Sequence, residues 1–372
     1  MFTIFLSSRA FSADLVREKE LAAELQRLEI EEQKNRIFPE FKLSVGYGES
    51  DELHEEDERG LLSFVSMDWN LFRGGGDYFL LKKSKARLNA IESERQLEIK
   101  RLQFEKYKLQ QELTLFSELM EIEKAEIESY QKQMIAAQRR VQSGITTSAD
   151  LLEIELARYE AETHIQTLQV HIENKKRELE QYQDVPDFVF AEVVPNSFDQ
   201  TMSGSIIKSK LEAAEHEARS AKANIWPSLD LSASYGQLTP QSQNPYKLDE
   251  YHLGVLLTWK FGGSQSQILK SQVQTKQAHL NRVELANAQK QKSITFENLK
   301  NELKETERLL KIQKEILNRA EKLEKATANE YRLGVKNGSD WLEISQKFVT
   351  KQKELKELEL TYKLQKAELQ TF

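Results

Sequence analysis

A long stretch of the chain without glycine or proline runs from residue 77 to residue 143. Because glycine and proline are the residues that most often interrupt helices, these 67 residues are predicted to form a single helix. At about 1.5 Å per residue this helix is about 100 Å long, and no globular core accommodates that length. A second stretch of the same kind runs from residue 264 to residue 333. The chain is therefore predicted to be organised around two very long helices.

Apolar residues in both stretches recur at heptad spacing. In the first stretch one seam is formed by Leu109, Leu113, Phe116, Met120, Ile127, Tyr130 and Met134. In the second stretch there are two seven-residue rows, which are Leu303, Leu310 and Leu317 and then Leu309, Ile316 and Leu323. A single seam is typical of a left-handed coiled coil. Two rows indicate a helix that touches neighbours on both sides, as in a closed ring of helices.

The segment 251–263 alternates between apolar and small or polar residues, which predicts a β-strand. One face consists of Tyr251, Leu253, Val255, Leu257, Trp259 and Phe261, and the other consists of His252, Gly254, Leu256, Thr258, Lys260 and Gly262. An apolar face with aromatic residues at both ends is typical of a barrel strand that contacts lipid. Leu257, Trp259 and Phe261 are therefore predicted to face lipid, and Thr258 and Lys260 are predicted to face the lumen.

The first half of the chain contains a copy of this strand. Its apolar face aligns residue by residue with the later one, through Val65, Met67, Trp69 and Leu71. The alignment predicts that Trp69 faces lipid and that Asp68 and Asn70 face the lumen. A second strand-like run precedes each copy and begins at a proline, and the two prolines are 188 residues apart. The tryptophans at 69 and 259 are 190 residues apart, so the chain is predicted to be an internal duplication.

The duplication predicts two structural repeats. The first, residues 14–185, has a helix over 14–36, a β-hairpin over 37–73 and a long helical hairpin that turns near residue 144. A linker over 186–205 follows. The second repeat, residues 206–372, has a helix, a β-hairpin over 225–263 and a helical hairpin that turns near residue 334. Residues 1–13 are predicted to be the remnant of a signal peptide, because an apolar start precedes an Ala-x-x-Ala sequence.

Composition argues against several classes of function. A net charge of −7 without a basic cluster argues against nucleic-acid binding. The absence of cysteine excludes disulfides and thiolate metal sites, and the six histidines show no metal-ligand spacing. The sequence contains no catalytic constellation and no phosphate-binding loop. The chain is therefore not expected to be an enzyme, and neither a cofactor nor a metal is expected.

Four strands are too few to close a membrane barrel, because the smallest such barrels have eight. Open sheet edges inside lipid are not viable either. If the strands span a membrane, several copies of the chain must combine them, so that a dimer would give eight strands and a trimer twelve.

These features resemble the TolC-like outer-membrane efflux proteins. The resemblance rests on the duplicated proline-led strand, the tryptophan-bearing strand that ends in Gly-Gly, the long helix, and two parallel turn segments, Tyr331–Glu343 and Val141–Glu153. It implies a membrane α+β fold, in which a homotrimer forms a twelve-stranded transmembrane β-barrel and a periplasmic α-helical tunnel. It also implies a location in the outer membrane of a Gram-negative-type bacterium. The implied partners are lipid, a periplasmic membrane-fusion adaptor and an inner-membrane pump of the RND, ABC or MFS type. The chain departs from the family in its short first helix, its poor signal peptide and the absence of an extended tail.

The helix turns carry the candidate functional residues. Gly144 and Gly334 lie where a helix must reverse, and Asp150 and Asp340 each follow six residues later. By resemblance, Asp340 and Glu343 face the tunnel entrance, and Tyr331 and Asp150 form a contact that restrains closure. Arg332 and Lys336 complete the implied set of turn residues. For Asp150 an ordinary helix-capping role is an equal alternative.

Two functions fit these features. One is a passive export duct of an efflux or type I secretion system. The other is a soluble coiled-coil scaffold whose four strands form a small sheet. A scaffold has no need for four strands with matching apolar faces, so the strands favour the duct. The sequence does not identify the exported substrate.

Overall fold

A computed structural model describes residues 5–50, 58–144, 147–191, 195–223, 226–240, 248–258 and 265–372. The chain divides into two compact units. We call Glu18–Glu94 with Gly204–Lys290 the sheet unit. Arg95–Ser203 and Gln291–Phe372, with the start of the chain up to Arg17, form the turn unit.

Both halves of the chain have the same order of elements. The first half contains α1 (Phe5–Asn35), β1 (Glu40–Ser50), β2 (Glu58–Arg73), α2 (Gly76–Gln142) and α3 (Ser148–Glu180). The second contains a short 3₁₀ turn (Phe198–Gln200), α4 (Met202–Ala223), β3 (Ser228–Pro240), β4 (Leu248–Thr258), α5 (Gln265–Arg332) and α6 (Gly338–Thr371). Helices α2 and α5 are continuous over 67 and 68 residues, which confirms the two very long helices predicted from the sequence.

Two helix starts differ from the prediction. Helix α1 begins at Phe5 instead of residue 14, and α4 begins at Met202 instead of residue 206. In both cases the helix extends through residues that were assigned to a signal peptide or a linker, because Ser and Gly lower helix propensity without ending a helix. None of the helices in the described ranges contains an apolar stretch long enough to cross a membrane.

The four strands form one antiparallel sheet in the order β1-β2-β3-β4. The register places Leu43 opposite Val65, Val65 opposite Tyr235, and Leu231 opposite Val255. Because side chains alternate between faces, these pairs put the apolar residues of all four strands on the same face. This apolar face is exposed in the chain, and Leu43 and Leu253 keep 72% and 73% of their accessible surface.

One residue of the predicted apolar face is misplaced. The register between β2 and β3 shifts between Asn70 and Phe72, so that Phe72 lies opposite Leu229. This bulge interrupts the alternation that would have placed Leu71 on the face of Trp69. Phe72 therefore takes the position that the sequence pattern assigned to Leu71.

The opposite face of the sheet is mainly polar. Near the helix end of the strands the Asn70 amide donates to the Asp230 carboxylate, which also accepts from Ser228 at 3.0 Å. Lys42 lies 3.6 Å from both Glu40 and Asp68. We call this side of the sheet the polar face.

The core of the turn unit contains charged residues as well as apolar ones. A buried cluster joins α2, α3 and α6 and consists of Tyr130, Ala137, Ile154, Ala157, Ala161 and Leu342. Beside it, the Tyr130 hydroxyl donates to Glu126 at 2.5 Å. Lys353 of α6 lies 2.6 Å from Glu123 and 3.6 Å from Glu126. Charged side chains therefore connect α6 to α2 inside the protein.

Candidate functional site at the helix turns

The end of α5 is a glycine-dependent turn. Gly334 has a φ of 82°, and its N–H donates to the Tyr331 carbonyl at 3.0 Å. The N–H of Val335 donates to the Glu330 carbonyl at 2.9 Å. These two bonds form a Schellman motif, in which a left-handed residue satisfies the last carbonyls of the helix. The predicted role of Gly334 in reversing the chain fits this geometry.

The end of α2 also has a glycine in the left-handed conformation. Gly144 has a φ of 72°, and its N–H donates to the Val141 carbonyl at 3.0 Å. Since residues with a Cβ rarely adopt such positive φ values, both turns depend on glycine. The two turns thus place the first residues of α3 and α6 directly after the reversals.

Tyr331 is buried between charged and aromatic groups, with 3% of its surface accessible. The guanidinium of Arg140 lies 4.0 Å from the Tyr331 ring centre and also donates to the Tyr331 carbonyl. The Trp341 ring packs against Tyr331 at 5.0 Å, and its indole N–H donates to Glu324 at 3.2 Å. Arg140 and Tyr331 therefore connect the end of α2 to the end of α5.

Asp150 lies near Tyr331 within the same chain. Burial raises the pKa of the Tyr331 hydroxyl, Arg140 lowers it, and the Asp150 carboxylate raises it. Between them lies Gly338, where an added Cβ would be 3.6 Å from Asp150 Cβ and 4.0 Å from the Tyr331 ring. The structure thus brings together Tyr331 and Asp150, the two residues that the resemblance paired.

Asp340 is not the cap of α6. The cap is Asn337, whose side chain accepts from the N–H of Asp340 at 2.7 Å. Helix α3 begins after Thr147, which makes no side-chain capping bond. Asp150 lies in the first turn of α3, where a carboxylate interacts favourably with the helix dipole.

The two predicted entrance carboxylates are each paired with a lysine. Asp340 lies 3.8 Å from Lys336, and Glu343 lies 2.6 Å from Lys347. The hydrogen bond from Lys347 and its charge lower the pKa of Glu343. Both carboxylates are partly exposed, so the pairs are solvated and weak. Within one chain these four side chains therefore sum to no net charge.

Several contacts at the turns were not predicted. Ser339 of α6 donates to Glu153 of α3 at 2.5 Å. The contacts of Arg140 and Trp341 with Tyr331 were also missed. Asn337 carried a usable signal, because asparagine just before a helix with an acidic residue three positions later is a common start of a helix. No sequence signal pointed to the contact of Arg140 with Tyr331, because the two residues are 191 positions apart in the chain. Arg332, in the last turn of α5, is exposed.

The predicted strand residues lie on the expected faces where they are described. Leu257 pairs with Leu229 on the apolar face, and Trp69 pairs with Leu231 there. The indole N–H of Trp69 donates to the Ile37 carbonyl at 2.6 Å. The polar face carries Asp68, Asn70 and Thr258. Trp259, Lys260 and Phe261 lie outside the described residues. No group of three or more His, Asp or Glu side chains in the described ranges could hold a metal ion.

Comparison with known proteins agrees with this architecture. Residues 207–372 match the family model of outer membrane efflux proteins. No curated protein matches the chain in sequence. The fold matches that of CusC with a TM-score of 0.79 at 12% identity, over 98% of this chain and 90% of CusC. It matches VceC, an outer membrane protein of Vibrio cholerae, with a TM-score of 0.74 at 14% identity, over 99% and 94% of the two chains. The CmeC outer membrane channel of Campylobacter jejuni matches with a TM-score of 0.73 at 12% identity, over 99% and 84%.

At these identities the structural likeness concerns the fold, whereas the family model concerns the sequence of the second half. The two findings are independent and agree. Residues 207–372 thus resemble the outer membrane efflux proteins in sequence, and the described chain has the fold seen in CusC and VceC.

Proposed function

We propose that the protein is one subunit of a passive export duct in the outer membrane of a Gram-negative-type bacterium. Three copies combine their four strands into a twelve-stranded barrel in lipid and their helices into a periplasmic tunnel. Cargo enters from an inner-membrane pump, of the RND, ABC or MFS type, through a periplasmic membrane-fusion adaptor.

The observation that carries this proposal is the two-faced sheet. Its apolar face is exposed on all four strands, and its opposite face is mainly polar. Its outer strands, β1 and β4, pair on one side only within the described sheet. Unpaired edges are not viable in lipid, so the strands of several copies must join. A soluble scaffold would have to cover the apolar face, and no described element covers it.

The helices support the same assembly. Of the two heptad rows on α5, one contains the buried Leu310. The other is partly exposed, with Leu309 at 42%, Ile316 at 38% and Leu323 at 51% accessible. Helix α3 has a similar exposed row at Leu152, Leu156 and Tyr159. Exposed apolar rows at heptad spacing favour packing against further helices, and neighbouring copies would supply them.

The assembly is tested by the mass of the purified protein in detergent. A trimer is expected, and Ile316→Glu should weaken it because it places a charge in the exposed row. Asn318→Glu is the matched control, because residues two positions apart on a helix point in directions that differ by about 200°. A monomer that is stable without detergent would contradict the proposal.

At the turns, we propose that Tyr331, Arg140 and Asp150 hold the duct closed at rest. Their contacts join the ends of α2 and α5 and the start of α3. Tyr331→Phe combined with Asp150→Ala should raise the single-channel conductance in planar bilayers. Tyr159→Phe, at an exposed tyrosine on α3, is the control. Unchanged conductance of the double variant would leave Asp150 with a role in helix stability alone.

Asp340 and Glu343 are proposed to line the entrance as two rings of three carboxylates. The rings lie one helical turn apart, about 5 Å, and rings of acidic residues favour cations. The lysines at 336 and 347 reduce this effect. The double change Asp340→Ala and Glu343→Ala should abolish cation selectivity and block by trivalent cations. Lys336→Ala with Lys347→Ala should strengthen both. If the first pair of changes leaves selectivity and block intact, these carboxylates do not line the entrance.

A further inference from the structure

Phe64 is an aromatic side chain on the polar face of the sheet. It lies directly opposite Gly236 in the pairing of β2 with β3. A Cβ added to Gly236 would lie 2.5 Å from Phe64 Cδ1 and closer still to Cε1. No real Cβ tolerates such a contact. The Phe64 ring therefore leans across to β3 and occupies the space where a side chain of residue 236 would begin.

This orientation is unusual for a strand. Side chains in strands ordinarily stand roughly perpendicular to the sheet. Glycine within a strand weakens it and often marks a place where another group approaches closely. Here the approaching group is the Phe64 ring. Its contact with the backbone of Gly236 compensates for the stability that a glycine costs the strand.

A second ring on the polar face is close to a glycine. His252 and Gly254 are two residues apart on β4, so they share a face. A Cβ added to Gly254 would lie 3.3 Å from His252 Nε2. By contrast, a Cβ added to Gly46, also on the polar face, would meet nothing within 4 Å. Close ring contact is therefore specific to two of these three glycines.

We propose that the absence of a side chain at Gly236 lets the Phe64 ring lie against the inner wall of the barrel, and that this position of the ring keeps the pore open. The inference rests on the proposed function, because it requires the polar face to line the pore. Three copies place three such rings at one level of the channel. A side chain at residue 236 pushes the ring off the sheet, since the ring is the most easily displaced group there. The Phe64–Gly236 pair therefore limits the size of cargo that passes.

The absence of cysteine makes a direct test possible. Ser66→Cys introduces a single thiol on the polar face, two residues from Phe64 along β2 and closer to the helices. A thiol reagent added from outside intact cells must pass Phe64 to reach it. In this parent variant both a small methanethiosulfonate and a bulky dye maleimide should label the thiol.

Adding Gly236→Ala should abolish labelling by the bulky reagent and preserve labelling by the small one. Phe64→Ala in the same chain should restore bulky labelling, because the displaced ring is then gone. Gly46→Ala is the matched control and should label like the parent. The mass of each variant in detergent checks that it has assembled.

The outcomes separate the two proposals. If the parent thiol reacts with neither reagent, the polar face does not line a pore and the proposed function fails. If the bulky reagent labels the parent and Gly236→Ala equally, only the proposed role of Gly236 is wrong. If Gly236→Ala loses labelling by the bulky reagent and Phe64→Ala does not restore it, the proposed role of Gly236 is also wrong, because the block then has another cause.

Discussion

Replacing Lys353 by methionine should loosen the packing of α6 against α2. The ammonium of Lys353 lies 2.6 Å from a Glu123 oxygen and 3.6 Å from a Glu126 oxygen. The two glutamate side chains are 4% and 7% accessible, so neither is well hydrated. His164 of α3 also approaches Glu123, at 3.3 Å, and its side chain is 63% accessible. Removing the lysine leaves two buried carboxylates without their main positive partner.

The magnitude follows from the cost of a buried charge without a partner. Breaking a buried ion pair by removing one partner costs about 3–5 kcal/mol. Lys353 is itself 26% accessible, which places the expected cost at the lower end. About 3 kcal/mol corresponds to a change of roughly a hundredfold in an equilibrium constant. Local opening of α6 near Lys353 should become more frequent by about that factor.

Amide hydrogen exchange of the protein in detergent measures this opening. Exchange in the α6 segment around Val349 and Leu355 should accelerate in Lys353→Met. Lys351→Met is the control, because Lys351 forms a partly exposed pair with Glu354 on the same helix. Adding Glu123→Gln and Glu126→Gln to Lys353→Met should restore most of the protection. Equal exchange in wild type and Lys353→Met would refute the argument, as would an equal effect of Lys351→Met.

Three further predictions follow from particular contacts. Burial raises the pKa of Glu126, so the folded protein holds this proton more tightly than the unfolded chain does. The stability that this proton contributes is fully present below the pKa that Glu126 has in the unfolded chain, and it is lost as pH rises through the pKa in the folded protein. Amide exchange of α6 should therefore depend on pH, and Glu126→Gln should remove that dependence. Leu43→Arg on the apolar face should cost about 2–4 kcal/mol and reduce trimer yield, whereas Ser44→Arg on the polar face should be tolerated. Arg140→Met should weaken the turn by about 0.5–2 kcal/mol by removing the cation from the Tyr331 ring, measured as faster proteolytic nicking there.

The long helices and the strand faces could be predicted because each depends on a local rule. A stretch without glycine or proline has no strong internal signal to stop a helix. Period-two alternation assigns faces to a strand without knowledge of its partner. The bulge near Leu71 could not be predicted in this way, because it arises from the pairing of β2 with β3. The contact of Arg140 with Tyr331 was out of reach for the same reason.

The position of the seam on α2 shows a different limit. The predicted seam used apolar residues alone, and most of them are only half-buried. The most buried row at heptad spacing consists of Leu119, Glu123, Glu126, Tyr130, Gln133 and Ala137. A search for apolar periodicity passes over three of these six residues because they are polar. Their burial could be inferred only from the partners that α6 provides.

The polar residues in this row explain how long helices keep one register. A heptad seam of apolar residues fits nearly as well after a slip of seven residues, and a buried polar residue in a coiled coil is a known device against such slips. Here a slip of α6 by seven residues would replace Lys353 with Gln346 or Leu360. Glu123 and Glu126 would then be buried without a cation, at a cost of several kcal/mol. We infer that this charged contact gives up some stability in exchange for a unique alignment of α6 with α2. That alignment also determines which residues of α6 lie beside Tyr331 and Asp150, so the register set inside the turn unit positions the proposed gate.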